Sequence, residues 1–404
     1  MAQKSAMSSR WVVLFLSLLL GLQPVATDLY LPTLPALTLD LGANLSQAQL
    51  TLTAMLLAFG FSQLVWGPVS DRCGRRPVLI LGMGLFALAA LGSVWAASIQ
   101  TLIAWRAMQG VAMGAAVMGA RAIVRDLYAP VDAARAMSKG LTGLGVIACI
   151  TAPLGGWLSD QWGWRMALSA LAVFAALTGA LLVWRFEETL RQRNPQALQW
   201  RVLVSTWLGI ASHPTFWAYA LLTTASYSGL FTYLAASSFV FIDVLHQSKT
   251  AYGLWMSAMS LAYIVGTFAC RRMVLRWGVQ RSVAVAGGVT LLSGGSLTLL
   301  AWWGIHGVWA VVLPMVGFML AHGVHQPCGQ SGSVSAFPQA AGQASALSGF
   351  IMMLAAFGVG SWLGLSLDRG DGVLPMTNGI GFWSLLIALA AWTVVQRHGK
   401  LPRT

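Results

Sequence analysis

Long, uninterrupted runs of apolar residues are the feature that most constrains this 404-residue chain. Each run holds about 20 residues, the length that an α-helix needs to cross the hydrocarbon core of a bilayer. The runs are much longer than the alternating segments of about ten residues that build a transmembrane β-barrel. We therefore predict an all-α integral membrane protein with twelve transmembrane helices. The runs are centred near residues 22, 57, 88, 113, 148, 175, 227, 262, 292, 318, 355 and 384.

The charge content supports this class and excludes others. Only 9% of the residues are charged and 57% are hydrophobic, whereas about a quarter of a soluble domain is charged. Such a chain cannot supply the polar surface of a soluble enzyme. The net charge of +13 does not indicate nucleic-acid binding, because the basic residues lie in short clusters between the apolar runs. We expect the chain to lie in a lipid bilayer, with no nucleic acid as a partner.

The placement of the 24 Lys and Arg residues predicts the orientation, since these residues concentrate in cytoplasmic loops. With the N-terminus inside, nearly all of them fall on the cytoplasmic side. The outer side holds only Arg165, Lys249 and Arg369, while Arg106 and Arg121 lie within the fourth helix. Both termini are therefore expected in the cytoplasm.

A degraded repeat divides the chain into two halves. Arg72 and Gly74, after the second helix, recur as Arg276 and Gly278 after the eighth, at an offset of 204 residues, although Leu275 stands where an aspartate would be expected. Transporters with such repeats bind their substrate between two similar units, so we predict two pseudo-symmetric six-helix bundles. The predicted units are an N-terminal bundle at 1–190, a cytoplasmic linker at 191–212 and a C-terminal bundle at 213–404.

One carboxylate, Asp28, lies within an apolar run, whereas the rest of the 11 acidic residues lie near helix ends. A carboxylate in hydrocarbon costs at least about 2.5–3.5 kcal/mol, so it is expected to face the interior and to have a function. A group that changes its charge with access to water is what proton coupling requires. The alternative is a structural carboxylate paired permanently with a base. Arg106, at a similar predicted depth in the fourth helix, is the candidate partner.

Side chains near these charges are candidates for substrate contact. Two of them follow Arg106 at i+3 and i+7 and share its helix face. An aromatic pair at i and i+4 lies midway along the seventh helix, where it either lines a cavity for a flat apolar ligand or packs on lipid. The predicted substrate contacts are Tyr30, Gln109, Met113, Tyr227 and Phe231.

Two histidines, His322 and His325, lie three residues apart in the tenth helix. Neutral histidines there either relay protons or form hydrogen bonds between helices. Without an acidic or cysteine partner nearby they make a poor metal site. We therefore predict no metal.

Several motifs resemble those of the major facilitator superfamily. Residues 67–76, GPVSDRCGRR, resemble the signature between its second and third helices. Residues 106–110, RAMQG, are similar to its fourth-helix motif, and residues 152–156, APLGG, resemble the antiporter motif of helix five. Residues 28–32, DLYLP, and 337–346, FPQAAGQASA, resemble the Bcr/CflA drug-resistance group. The resemblance covers essentially the whole chain.

This resemblance implies a proton-driven exporter of small hydrophobic or amphipathic compounds, with Asp28 as the protonation site and Arg106 as the arginine that tunes it. It also implies a cytoplasmic charge network that holds the outward-facing state; the alternative is charge that only sets topology. The residues of the implied gate are Gly67, Asp71, Arg72, Gly74, Arg75, Arg76 and Asp126. The helix-five motif comprises Pro153, Gly155 and Gly156, with Ala152 in place of a first glycine.

We therefore expect proton-coupled efflux of chloramphenicol- or bicyclomycin-like drugs across the bacterial inner membrane, by alternating access in a monomer without cofactors. Some relatives carry a second carboxylate two turns before the first, where this chain has Leu20, so neutral drugs are expected rather than dications. A proton-coupled carrier of a metabolite, such as a nucleoside or sugar, is the alternative. A membrane-embedded enzyme would need a catalytic or metal cluster within the membrane, and the sequence offers none.

Overall fold

A computed structural model describes residues 7–128, 130–190, 192–367 and 373–399. Arg369 and both ends of the chain lie outside these described residues. Within them the chain forms helices joined by short turns and linkers, and it forms no β-strand. The predicted all-α class is confirmed.

Eleven helical segments of the described chain are long and apolar enough to cross a membrane. One of them, Lys249–Trp302, has 54 residues and bends at Gly278, so it crosses twice. The prediction of twelve transmembrane helices is confirmed. Helices α1 to α12 are Ser9–Asp28, Leu45–Cys73, Arg75–Val94, Ile99–Leu127, Pro130–Trp162, Trp164–Arg185, Pro214–Phe239, 249–277, 279–302, Val308–Ser335, Ala341–Leu367 and Leu374–Leu389. Shorter helical pieces are Leu31–Thr33, Leu34–Asp40, Trp200–Ala211, Val240–Val244, Pro338–Ala340, Ala390–Val394 and Val395–His398.

Three tight reversals between helices are each made at a glycine. Gly74, Gly163 and Gly278 have φ angles of 110°, 83° and 75°, a region that other residues enter only at a cost. Gly74 precedes α3 and Gly278 precedes α9, so the two glycines related by the 204-residue offset turn the chain in the same way. The two halves thus share the same backbone turn at positions where their side chains no longer match.

Helix α1 ends at Asp28, before the end of the apolar run predicted from the sequence. The chain continues through the 3₁₀ turn Leu31–Thr33 into the helix Leu34–Asp40. The backbone N–H of Tyr30 donates to the carbonyl of Thr27 at 3.1 Å, rather than to that of Ala26 as a continuing α-helix would require. The break therefore leaves a carbonyl beside Asp28 without its helical partner.

The two six-helix bundles meet along α2 with α11 and along α5 with α8. Glycines allow these helices to approach closely. A Cβ atom at Gly60 would lie 2.7 Å from the Cβ of Met353, and one at Gly156 would overlap the carbonyl of Lys249. We call the end of the molecule that carries the loop between α2 and α3 the inner end, and the opposite end the outer end.

Candidate functional site

Asp28 lies at the end of α1 and is half-buried. Its carboxylate accepts a hydrogen bond from the hydroxyl of Thr27 at 2.8 Å. Among the described residues it forms no ion pair. The carboxylate therefore lacks the permanent basic partner that a purely structural role would require.

Arg106, its candidate partner, is fully buried but bonds elsewhere. One Nη atom donates to the carbonyl of Ala26 at 2.9 Å, which is the carbonyl freed by the break in α1. The guanidinium also stacks over the ring of Tyr30, 4.1 Å from its centroid. The Tyr30 hydroxyl in turn donates to Thr51 at 2.6 Å. Arg106 thus holds the broken end of α1 through a carbonyl and an aromatic ring, without neutralising Asp28.

Gln109 and Met113 are both fully buried on the face of α4 that carries Arg106. The side-chain oxygen of Gln109 accepts a hydrogen bond from Arg106 at 2.6 Å, and its nitrogen donates to Ser93 at 3.1 Å. Gln109 therefore uses both ends of its amide within the N-terminal bundle. In this conformation it orients Arg106, and a substrate would have to displace one of these bonds to reach it.

The aromatic pair of α7 lies in the interior and not on lipid, since Tyr227 is 8% exposed and Phe231 is 2% exposed. The two rings are nearly parallel, with an interplanar angle of 9° and centroids 6.5 Å apart. The Tyr227 hydroxyl accepts a hydrogen bond from Gln23 of α1 at 3.4 Å. Tyr227 therefore contacts α1 five residues before Asp28, a little more than one helical turn nearer the inner end, where the two bundles adjoin.

At the inner end one arginine joins two carboxylates. Arg75 is 1% exposed and donates to Asp71 at 2.6 Å, to Asp126 at 2.8 Å and to Ser70 at 2.6 Å. Arg125 adds a bond to Asp71 at 3.1 Å. We call Arg75, Asp71 and Asp126 the inner charge cluster. All three belong to the N-terminal bundle.

The other basic residues of the predicted gate lie outside this cluster. Arg72 and Arg76 are exposed. Arg76 donates to the carbonyl of Val183 at the end of α6, at 2.9 Å. Gly67, earlier in the same motif, lies beside Met118 of α4. The structure thus makes Arg75 the centre of the network, whereas the resemblance implied Arg72, Arg75 and Arg76 alike.

A residue that the sequence analysis did not single out, Glu188, supports the cluster. Its carboxylate accepts hydrogen bonds from the backbone N–H groups of Arg75 at 2.9 Å and Arg76 at 3.1 Å. These are the first two residues of α3, where N–H groups lack helical partners and the helix dipole favours an anion. Thr189 donates to Asp126 at 3.3 Å. More than a hundred positions separate the two segments, so spacing alone could not reveal this contact.

The helix-five motif packs against backbone on both sides. A Cβ atom at Gly155 would overlap the carbonyl of Leu29, just after the break in α1, and one at Gly156 would overlap that of Lys249 on α8. On the facing helix, a Cβ at Gly253 would lie 2.6 Å from Pro153. These glycines therefore let α5 lie against both the Asp28 segment and the C-terminal bundle.

The two histidines form hydrogen bonds between helices. His322 bonds to Ser226 of α7 through Nδ1 at 2.8 Å, and His325 bonds to Thr290 of α9 through Nε2 at 3.2 Å. Both are buried. They tie α10 to its neighbours within the C-terminal bundle, as the structural alternative predicted.

Comparisons with known proteins match these features. The family model described as Major Facilitator Superfamily matches residues 16–396. Multidrug resistance protein D of Escherichia coli K12 is 32% identical over 95% of this chain and 94% of its own. The bicyclomycin resistance protein homolog of Haemophilus influenzae is 27% identical over 96% of this chain and 97% of its own.

Among solved structures, the xylose transporter XylE from E. coli, in a partially occluded inward-open conformation, superposes with a TM-score of 0.78. It shares 16% identity over 98% of this chain and 99% of its own, which shows the common fold of two six-helix bundles. The predicted fold and family are confirmed. The chain is a multi-pass membrane protein that belongs to the Major Facilitator Superfamily.

Proposed function

We propose that this protein exports small, neutral or weakly charged, amphipathic drugs in exchange for protons across the bacterial inner membrane. The drug-resistance names of its relatives support this substrate class. The observation that carries the coupling is Asp28, a half-buried carboxylate that has no basic partner among the described residues and lies at a helix break between the two bundles. It is free to take up a proton from one side and release it to the other.

Alternating access supplies the movement in this proposal. The bundle at 1–190 rocks against the bundle at 213–404, with 191–212 as a cytoplasmic linker and both termini in the cytoplasm. Protonation of Asp28 removes the negative charge at the end of α1, which Arg106 does not neutralise. Arg106 keeps its bonds to Ala26 and Tyr30, so the break in α1 keeps its shape while the charge changes.

The driving force of a single proton is sufficient. One charge that crosses 100 mV gains about 2.3 kcal/mol, and one pH unit adds about 1.36 kcal/mol. Since about 1.4 kcal/mol corresponds to a factor of ten, the sum supports a drug gradient of roughly a few hundred-fold. One coupling carboxylate is therefore enough for resistance, and the protein has no need of an enzyme activity or a cofactor.

The interior favours neutral drugs over dications. Arg106 and the half-buried Arg121 of α4 form no ion pair within the described residues, so the positive charge of these two arginines exceeds the negative charge of Asp28. The stacked rings of Tyr227 and Phe231 provide a flat apolar surface near Asp28 for such a ligand. Tyr30 and Met113 are proposed to line the same region when the bundles part.

The test uses inverted membrane vesicles with an acidified interior and a pH-sensitive dye. Chloramphenicol and bicyclomycin should each release the proton gradient in wild type and not in Asp28→Asn. Asp40→Asn is the matched control, because Asp40 is also an acidic residue after α1 but is paired with Arg165 at 2.7 Å. An equal response of wild type and Asp28→Asn would reject Asp28 as the coupling group. Release by nucleosides or sugars but by no drug would replace drug export with metabolite transport.

A further inference from the structure

A polar contact at the outer end crosses between the two bundles. Asp160, near the end of α5, accepts hydrogen bonds from the backbone N–H of Thr250 at 3.0 Å and from its hydroxyl at 2.7 Å. The ammonium of Lys249 donates to the carbonyl of Ser159 at 3.3 Å and lies 4.0 Å from the Asp160 carboxylate. Helix α5 belongs to the N-terminal bundle and α8 to the C-terminal one, so every one of these bonds joins the two halves.

The contact completes the start of α8. Thr250 is the second residue of that helix, where a backbone N–H has no partner within the helix. Ser248 already caps the next N–H, that of Ala251, at 3.1 Å. A carboxylate at this position also faces the positive end of the helix dipole. Asp160 therefore acts as a capping group supplied by the opposite bundle, and its bonds are charge-assisted.

Close backbone packing between α5 and α8 continues from this contact toward the middle of the two helices. Gly156 of α5 lies against the carbonyl of Lys249, and Gly253 of α8 lies against the carbonyl of Ala152. One turn deeper, the hydroxyl of Ser257 donates to the carbonyl of Cys149 at 2.6 Å. Helices this close leave no passage between α5 and α8. Access from outside along this seam requires the Asp160 bonds to break.

We propose that Asp160, Thr250 and Lys249 form an outer latch, which closes the outer end between the bundles and opens once in each transport cycle. This role rests on the proposed alternating-access function. Asp160 positions the helices and does not touch the drug. Opening separates the Asp160 carboxylate from the N–H and hydroxyl of Thr250, so the strength of these bonds sets how often the outer side opens.

Asp40 provides a matched control at the same end of the molecule. Its carboxylate accepts from Trp164 at 3.0 Å and from Arg165 at 2.7 Å. These partners lie in α6, so the contact stays within the N-terminal bundle. Loss of charge at Asp40 should leave the seam between α5 and α8 unchanged.

A native cysteine reports the opening. Cys149 is half-buried on α5 and lies 11 residues before Asp160, or roughly 16 Å deeper along the helix. A membrane-impermeant maleimide added to right-side-out vesicles measures its access from outside. The background carries Cys73→Ser, because Cys73 is exposed at the inner end. Addition of Cys149→Ser to that background identifies the signal.

Asp160→Asn keeps an acceptor oxygen but removes the charge that strengthens the latch bonds, and it does so in the closed state only, so it should raise the labelling rate of Cys149 by roughly three- to tenfold. Thr250→Val should act in the same direction. Thr250→Ser retains both bonds and should label like wild type, as should Asp40→Asn. The proposal fails if Asp160→Asn labels at the wild-type rate, or if Asp40→Asn accelerates labelling as much as Asp160→Asn does.

A crosslink tests whether the latch must open. In the double variant Asp160→Cys/Thr250→Cys, oxidation by copper phenanthroline should abolish drug-driven proton movement, and a reductant should restore it. Transport at the uncrosslinked rate after complete crosslinking would overturn the latch. Wild-type vesicles that respond to no drug would refute the proposed function alone, because the labelling rates still report whether the outer end opens.

Discussion

The inner charge cluster and the outer latch use the same kinds of side chain for different contacts. The cluster joins α2, α3 and α4 within one bundle, and Glu188 adds the segment after α6 to the same bundle. The outer latch joins α5 of one bundle to α8 of the other. In the proposed rocking cycle, charges within one bundle can hold its shape throughout, whereas charges between the bundles must separate. The two regions should therefore respond differently to loss of a charge.

The largest effect is expected at Arg75. Arg75→Met removes the buried cation that Asp71 and Asp126 share and leaves the half-exposed Arg125 beside them, and breaking a buried ion pair costs about 3–5 kcal/mol. Asp71 is one-third exposed, so the lower end of this range applies. Thermal unfolding of the purified protein in detergent should show a large loss of stability. Arg72→Met removes a charge from an exposed position three residues earlier, in the last turn of α2, and should leave the melting temperature nearly unchanged. Equal melting curves for the two variants would refute Arg75 as the centre.

A smaller effect of the same kind is expected at Glu188. Glu188→Gln keeps an acceptor oxygen but removes the charge from the start of α3, which should cost about 1 kcal/mol of stability. Glu187→Gln is the control, because Glu187 is an exposed neighbour of equal charge. The two variants should differ in melting temperature while both leave Cys149 labelling from outside unchanged. A change in labelling with Glu188→Gln would mean that this support also governs the position of the bundles.

The sequence predicts the fold well because its main determinant is local. Runs of about 20 apolar residues must become membrane-spanning helices, and glycine at 74 and 278 marks the same turn in both halves. Contacts between segments that are distant in the sequence depend on how the helices pack, which no local pattern specifies. Glu188 and Asp160 look like ordinary acidic residues at helix ends, and only the packing of helices brings them to backbone N–H groups of another segment.

Arg106 shows the same limit at the site itself. Its depth matches that of Asp28, which made an ion pair between the two a reasonable expectation. The break in α1 instead offers Arg106 a free carbonyl at Ala26 and the face of Tyr30. The position of a helix break depends on side chains and on tertiary contacts together, so an apolar segment with three prolines, Pro24, Pro32 and Pro35, does not specify it. The sequence predicts that Asp28 and Arg106 lie within the membrane at a similar depth, but it does not predict the groups to which each of them bonds.

An effect of about the same size as that at Glu188, and the one that separates the two ends most sharply, is expected at Ser345. Its hydroxyl accepts from Arg121 at 2.7 Å and links α11 to α4 across the bundles at the inner end. Ser345→Ala removes this bond from the inner-closed state, which should favour opening of the inner end by about 1 kcal/mol, or roughly fivefold. Because the inner and outer ends open alternately in the proposed cycle, labelling of Cys149 from outside should fall, opposite in sign to Asp160→Asn.

Ser348→Ala, one turn further along α11, removes a hydroxyl that forms no hydrogen bond to the other bundle within the described chain, and it should label like wild type. Faster labelling with Ser345→Ala would mean that the two ends open together and would contradict alternating access.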